Sequence, residues 1–323
     1  MKEFSEKDKS AIIILDSLQN LSYNQKREIL QKVEFPRELF DYETINGYPK
    51  LEGVTAITYL DELYPKQLLE LKDFPLCLYC LGNISLLGTG TAIVGSRKTI
   101  SVSLEFAKDL AKNLCKQTVI ITGTSLGVEN KVLNATGGEN TICFLACGIY
   151  QEKNLNPEQI KAFCQKGLIV SQYPPSVKQR GYQYIERNRL IAKLCDKMIV
   201  ISGGENSGVR YSAEYAKLYL KPIYALPYSV GEPSGVLCNQ LIKSGATLLY
   251  KIEDIIKVEN PKIELTPDEK VIIDLISKGV TTLDKIVEQS GLVASQVFIA
   301  LVSLEIKDCI IKSGADEYAL TKF

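Results

Sequence analysis

The chain has 323 residues, 46% of them hydrophobic, with 38 basic and 38 acidic residues in balance. That length allows two or three domains and a sizeable core. The sequence holds no histidine, which removes imidazole general bases, Ser–His and Cys–His nucleophile pairs and imidazole metal ligands.

Residues 1–45 read as mostly helical. Apolar residues recur at helical spacing over 10–19 and 23–33, separated by Asn20, with Ser22 placed to cap the second segment. A small helical domain of the SAM or helix-hairpin-helix kind is expected at 1–48, followed by a linker marked by Gly47, Pro49 and Gly53. From 54 to 258 strand-like and helix-like segments alternate. Strands are expected at 91–94, 118–122, 141–146, 168–171, 198–202 and 222–226, and helices at 101–115, 157–165, 187–195, 208–220 and 235–243. Continuous apolar strands separated by helices predict an α/β fold, a Rossmann-like doubly wound parallel sheet covered on both faces. A second linker surrounds Glu259-Asn260-Pro261. Residues 262–323 then read as a winged helix, with helices at 267–278, 282–289 and 294–305 and a hairpin-like tail at 309–312 and 318–320. No run resembles a signal peptide or a membrane span, so a cytoplasmic protein is expected. The nine cysteines are scattered through apolar runs, which suits a reducing compartment and buried thiols.

The stretch TAIVGSRK at 91–98 runs from a strand through Gly95 to Ser96, Arg97 and Lys98, with a helix following. In α/β proteins that order builds an anion site, because backbone N–H groups and the positive end of the helix dipole point to one spot. The turn lacks both the G-x-G-x-x-G fingerprint and the P-loop pattern, so a nicotinamide enzyme or an NTPase is not expected, and no cofactor is implied. Gly123 with Gly127, Gly148, Gly203-Gly204 and Ser207-Gly208 also fall where strands should end. The carboxyl ends of such strands hold ligands. Each of these turns could instead be a plain βα connection, and 95–98 a structural turn with solvated charges.

Lys178, Arg180, Arg187, Arg189 and Lys193 fall within 178–193 against one acid, Glu186, with Tyr182 and Tyr184 interleaved. Cations track a phosphate backbone and aromatic faces stack on bases, so the mixture suits single-stranded nucleic acid; a solvated loop and helix face is the plainer reading. Cys77 and Cys80, like Cys143 and Cys147, lack partners to complete a metal site and read as buried thiols. Asp196, Glu205 and Glu214 form no catalytic carboxylate pair, so no catalytic residue is expected. The winged-helix segment 262–323 carries seven lysines and no arginine against ten acids, and its third helix has no cation. A protein-binding or structural role suits it better than a duplex-DNA reader.

Over about 60–250 the chain resembles the DNA-processing protein A family (DprA, also called Smf). The matching residues are Tyr64-Pro65, Leu68, Asp73 and Pro75, Leu78, AIVGSRK at 92–98, Gly137-Gly138 and 145–148. They continue with GLIVSQYPP at 167–175, RNRLIA at 187–192 with Asn188 at its second position, Ser207-Gly208, NQLI at 239–242 and Gly245-Ala246. The resemblance implies a non-catalytic protein that binds single-stranded DNA through its Rossmann-like domain. It implies protection of incoming DNA during natural transformation, loading of the recombinase RecA onto strands coated with single-strand-binding protein, and action as a homodimer. Gly95, Ser96 and Arg97 would then cradle one phosphate and Arg187 and Arg189 neighbouring ones, with Lys178, Arg180, Tyr182 and Tyr184 along the strand. The sequence departs from the family at 123–129, GTSLGVE. Leu126 stands at the family's arginine, Glu129 at its aspartate and Leu133 at its histidine. Tyr184-Ile185 replaces the usual Phe-Pro, and Val209 the second serine of S-G-S. Two other readings stand beside this one. A Rossmann-like nucleotide N-glycosidase of the lonely-guy type would need a G-G-x-G-T-x-x-E signature, which Gly203-Gly204 and Glu205 do not continue. A DNA-independent interaction scaffold is the other.

Overall fold

In the computed structural model, which describes residues 4–47, 51–255, 265–307, 309–314 and 316–320, the apolar runs become the strands of one large sheet. The chain order is α1 Glu6–Ser17, α2 Tyr23–Gln31, α3 Tyr42–Gly47, β1 Thr55–Thr58, α4 Lys66–Leu69, β2 Cys77–Gly82, β3 Gly90–Val94 and α5 Ser101–Leu114. It continues β4 Ile120–Gly123, α6 Val128–Thr136, β5 Thr141–Phe144, α7 Pro157–Phe163, β6 Leu168–Ser171, α8 Gln183–Leu194, β7 Cys195–Val200, α9 Val209–Leu218, β8 Ile223–Ala225, α10 Val236–Lys243 and β9 Thr247–Leu248. The nine strands lie in the order β1-β2-β6-β5-β4-β3-β7-β8-β9. All pairs from β6 to β9 are parallel. The edge strand β1 and its neighbour β2 are added antiparallel.

The chain winds outward from β3 through β4, β5 and β6, then returns to the other side of β3 with β7, β8 and β9. This is the doubly wound α/β fold the apolar strands predicted, and its direction of winding reverses between β3 and β7. Strand periodicity explains the burial of both faces. Ala92 and Val94 join Met198, Val200, Leu190 and Ala213 on one face. Ile93 and Ile199 join Ala107, Leu110 and Val132 on the other.

Ser22 caps α2, its hydroxyl accepting from the Gln25 amide. The segment expected as a separate helical domain shares the sheet's core: Ile12 of α1 packs with Leu76, Tyr79, Cys143 and Ile169. The Tyr79 hydroxyl donates to the Asp16 carboxylate at 2.8 Å. Met1–Ile256 accordingly forms one compact unit and Lys257–Phe323 a second. Pro49 and the linker Glu259-Asn260-Pro261 lie outside the described residues.

Five elements were not anticipated. β1, β9 and α4 are too short to carry a period. β2 is a run of buried residues without alternation, and it was passed over because Cys77 and Cys80 were read only as buried thiols. In α6 the spacing of Val128 and Val132 was masked by the flanking glycines. α8 also begins four residues earlier than expected, its first turn being polar.

In the second unit come α11 Pro267–Ser277, α12 Leu283–Ser290 and α13 Ala294–Ile306, then the antiparallel pair β10 Ile310–Lys312 and β11 Tyr318–Leu320. Ile272, Ile286, Val297, Leu301 and Tyr318 form its core. No single described helix is long and apolar enough to cross a membrane.

Candidate nucleic-acid interface

Where the sheet reverses direction, the loops leaving β3 and β7 diverge and open a cleft of about 730 Å³. One wall is the turn Gly95–Ile100, the other runs through Gly204, Asn206, Ser207 and Gly208. Gly95 is required by packing: an added Cβ would stand 2.5 Å from Val128 Cγ2. The Ser96 amide donates to Ser202 Oγ at 3.1 Å, and the Ser96 hydroxyl donates to the Lys98 carbonyl at 2.7 Å. Ser96 therefore builds the turn, and its own N–H is already engaged.

Arg97 and Lys98 are exposed at the rim and take part in no ion pair among the described residues. The Arg97 guanidinium lies 5.1 Å from the centre of the Tyr184 ring, a cation–π contact. Gln179 Nε2 donates to the Tyr184 hydroxyl at 2.8 Å and holds the ring in place. α5 starts at this turn without a side-chain cap and with no acid in its first turn. α9 starts at Gly208, opposite, also without an acid there. Two helix amino ends thus face the cleft, which favours an anion.

The floor differs from expectation. Arg187 was expected to meet phosphate, but its side chain is 1% exposed and is neutralised within the protein. Its Nη1 donates to Glu129 Oε2 and to the Phe144 carbonyl, each at 3.2 Å. Its Nη2 donates to Glu129 Oε2 and to Ser125 Oγ, each at 3.3 Å. Glu129 also accepts from the Ser125 amide at 2.8 Å. Gly123 makes room for this pair rather than lining the cleft, since a Cβ there would fall 1.1 Å from Arg187 Nη1. Asn188 Nδ2 donates to the Gly208 carbonyl at 3.4 Å. Arg187 Nε and Asn188 Oδ1, both in residues of the cleft lining, have no partner among the described residues.

The cationic segment does not form one continuous path. Arg189 pairs with the Asp73 carboxylate, and Lys193 with Glu70 at 2.6 Å, beside the Tyr219 ring. Both therefore point away from the cleft. Lys178, Arg180 and Tyr182 line a second cleft of about 930 Å³. Gly203 packs against α10, where an added Cβ would stand 2.7 Å from Leu237 Cδ2. The first cleft thus gathers Gly95, Ser96, Arg97, Lys98, Tyr184, Arg187, Asn188, Ser207 and Gly208, and leaves out the other expected site residues.

Sequence reasoning missed Thr99, Ser125, Ser212, Glu232 and Ser234, which also line this cleft. None stands in a distinctive motif; each simply follows a strand or opens a helix. The Ser234 hydroxyl and amide donate to Glu232 and hold its carboxyl below the usual range, so it stays ionised. Asp196, Glu205 and Glu214 are exposed and line neither cleft. Among the described residues no group of three or more Cys, Asp or Glu could hold a metal ion. Cys77 and Cys80 are buried and unpaired, and burial pushes the Cys80 thiol up to about 12.

A doubly wound sheet with an anion-type turn at its reversal point, together with a winged-helix unit, defines a Rossmann-like protein whose turn carries neither the dinucleotide glycines nor the P-loop pattern. The chain belongs to the DNA recombination-mediator protein A family, whose model matches residues 55–260. The DprA winged helix domain matches 258–313. The DNA processing protein DprA of Bacillus subtilis is 28% identical over 225 residues, covering 64% of this chain and 75% of that one. The DNA processing protein A structure from Streptococcus pneumoniae superposes with a TM-score of 0.62 at 23% identity, over 78% of this chain and 96% of that one. DNA processing protein A from Helicobacter pylori superposes with a TM-score of 0.56 at 29% identity, over 63% of this chain and 94% of that one. Its structure was described for a single-stranded DNA binding mode.

Proposed function

We propose that this member of the family binds single-stranded DNA in the cleft at the carboxyl ends of β3 and β7, and carries out no chemistry there. The observation that carries the reading is the pair of cations Arg97 and Lys98, without an ion pair among the described residues, set between two helix amino ends and beside the Tyr184 ring. Arg97 meets a phosphate, the first turns of α5 and α9 contribute N–H groups, and Tyr184 offers a face to a base. The single-stranded DNA binding described for the Helicobacter pylori relative supports this assignment. So does the state of the two cleft carboxylates. Glu129 is engaged by Arg187, and Ser234 keeps Glu232 ionised, so Glu232 holds no proton to donate as a general acid.

From the family resemblance we carry over the wider role: protection of incoming DNA in natural transformation, loading of RecA onto strands coated with single-strand-binding protein, and a homodimer. The proposed division of labour keeps 54–258 as the DNA-binding domain, with the helical segment 1–48 packed on its core, and 262–323 as a winged helix that does not contact DNA. The cation-free third helix of that last domain supports its exclusion.

The test is Arg97→Ala, titrated with oligo-dT by anisotropy at several salt concentrations. Binding should weaken for any sequence, and the salt slope should fall by about 0.7 for the lost phosphate contact. Unchanged affinity and slope would overturn the assignment, and release of free base from nucleoside monophosphates would overturn the non-catalytic reading.

A further inference from the structure

We infer that Glu232 makes the first cleft selective among bases: its carboxylate accepts the exocyclic amino group of a base such as cytosine and disfavours thymine. The inference rests on the reading that this cleft holds single-stranded DNA, and adds to it a preference among strands. Arg97, Lys98 and Tyr184 supply no such preference, because every strand offers the same phosphates and every base has a face. Two acids line the cleft, Glu129 and Glu232. Glu129 is paired with Arg187, whereas Glu232 has no cation partner among the described residues. Its charge has the wrong sign for a phosphate, so it calls for a different part of the ligand.

The segment Glu232–Ser234 is tied to both walls of the cleft. On the wall of the Gly95–Ile100 turn, the Thr99 hydroxyl donates to Ser234 Oγ at 3.4 Å. At the start of the other wall, the Gly203 amide donates to the Ser234 carbonyl at 2.7 Å. The Glu232 carboxylate is fixed in turn, since the Ser234 amide and hydroxyl donate to its Oε1 at 3.0 and 2.6 Å. Its Oε2 has no partner among the described residues. The same two bonds hold the carboxyl below its usual range, so it is ionised. A charged acceptor that is held in place with one oxygen open is complementary to an N–H donor on the ligand.

A DNA phosphate has no such donor. The bases have, and they differ. Cytosine and adenine carry an exocyclic amino group, and a carboxylate accepting from cytosine N4 is an established side-chain pairing. Guanine offers two adjacent N–H groups. Thymine offers one ring N–H set between two carbonyl oxygens, whose negative charge opposes that of Glu232. The strand therefore lies with a phosphate at Arg97 and Lys98 and a base edge at Glu232, and thymine is the base that fits this edge worst.

The experiment titrates the full-length protein by anisotropy with oligo-dC, oligo-dT and oligo-dU of equal length, about 16 nucleotides. These pyrimidine strands are alike in size and charge, and dU controls for the thymine methyl group. The wild type should bind dC about tenfold more tightly than dT or dU, as one hydrogen bond to a charged group allows. Glu232→Gln keeps an oxygen for Ser234, loses the charge and can donate to a thymine carbonyl. It should bring the three strands within about twofold of one another, less than such a bond is worth. Wild-type affinities that already agree within about twofold overturn the inference. So does a Glu232→Gln variant that keeps the wild-type ratio or strengthens all three strands by one factor, because repulsion of phosphate acts on every strand alike. Those results leave the cleft standing as a DNA site. Wild-type protein that binds none of the three would instead overturn the reading of the cleft, and this inference with it.

Discussion

Replacing Glu129 decides whether Arg187 is a structural cation or a ligand for DNA. Both side chains are buried, at 4% and 1% exposure. Glu129→Ala would leave the guanidinium with only the Phe144 carbonyl and Ser125 Oγ, and would strip the Ser125 amide of its acceptor. Breaking a buried pair from one side costs about 3–5 kcal/mol, a large part of a typical total of about 5–15 kcal/mol. The variant should therefore fold with a much lower urea midpoint. The measurement is equilibrium unfolding of the full chain, reading the transition of the larger unit, because two units need not melt together. Glu129→Leu/Arg187→Met should recover most of the loss, since apolar replacement of a whole buried pair is often neutral, and the double-mutant cycle reports the coupling. Arg187→Met alone should lower stability and leave the salt slope of DNA binding unchanged. A loss below about 1 kcal/mol for Glu129→Ala, or a slope that falls by about 0.7 in a stable Arg187→Met, would refute the structural role.

Four further outcomes follow from the same structure. Gly123→Ala places a methyl 1.1 Å from Arg187 Nη1 and should destabilise the larger unit about as much as Glu129→Ala in the same urea titration. Leu126 is 56% exposed, and the family resemblance implies an arginine there, so Leu126→Arg should tighten single-strand binding and steepen its salt slope by about 0.7 with little change in melting temperature. In the winged helix, burial opposes ionisation of Glu269, but Lys307 at 2.7 Å, Ser303 and the Thr266 amide outweigh it and hold the carboxyl at about 2 instead of 4.5. Its stabilisation is complete above the unfolded value and is lost as pH falls from 4.5 towards 2; melts of Glu269→Gln should lack this acid-dependent loss. Cys164 is the one cysteine of the nine that is not fully buried, so a thiol reagent should label it first in native protein, and equally fast labelling of Cys77 or Cys80 would contradict their burial.

The central strands were legible because burial on both faces demands unbroken apolar runs, and β3 and β6 read that way without ambiguity. Gly95 was legible for the same reason, as the punctuation between such a run and a helix. The partner of Arg187 was not, because Glu129 lies 58 residues away and nothing in the sequence links the two. Nor was the partition made by α8. Residues two apart on a helix point about 200° away from each other, so Tyr182 and Tyr184, neighbours in sequence, face different clefts. Linear spacing of cations measures charge density and says nothing of which side of a helix the charge is on.

The engagement of Ser96 limits how this site can hold a strand. Its amide is taken by Ser202 and its hydroxyl by Lys98. The Ser96 N–H is therefore not available to a phosphate in the way each N–H of a P-loop is. The exposed side chains of Arg97 and Lys98 and the amino ends of α5 and α9 supply the attraction in its place. Side-chain cations act on any phosphate, and their contribution falls steeply with salt. A site of this construction suits a ligand that presents many equivalent phosphates in succession, and it suits a single nucleotide poorly. Of the ligands compatible with the cleft, a polyanionic strand makes the fullest use of exposed cations of this kind.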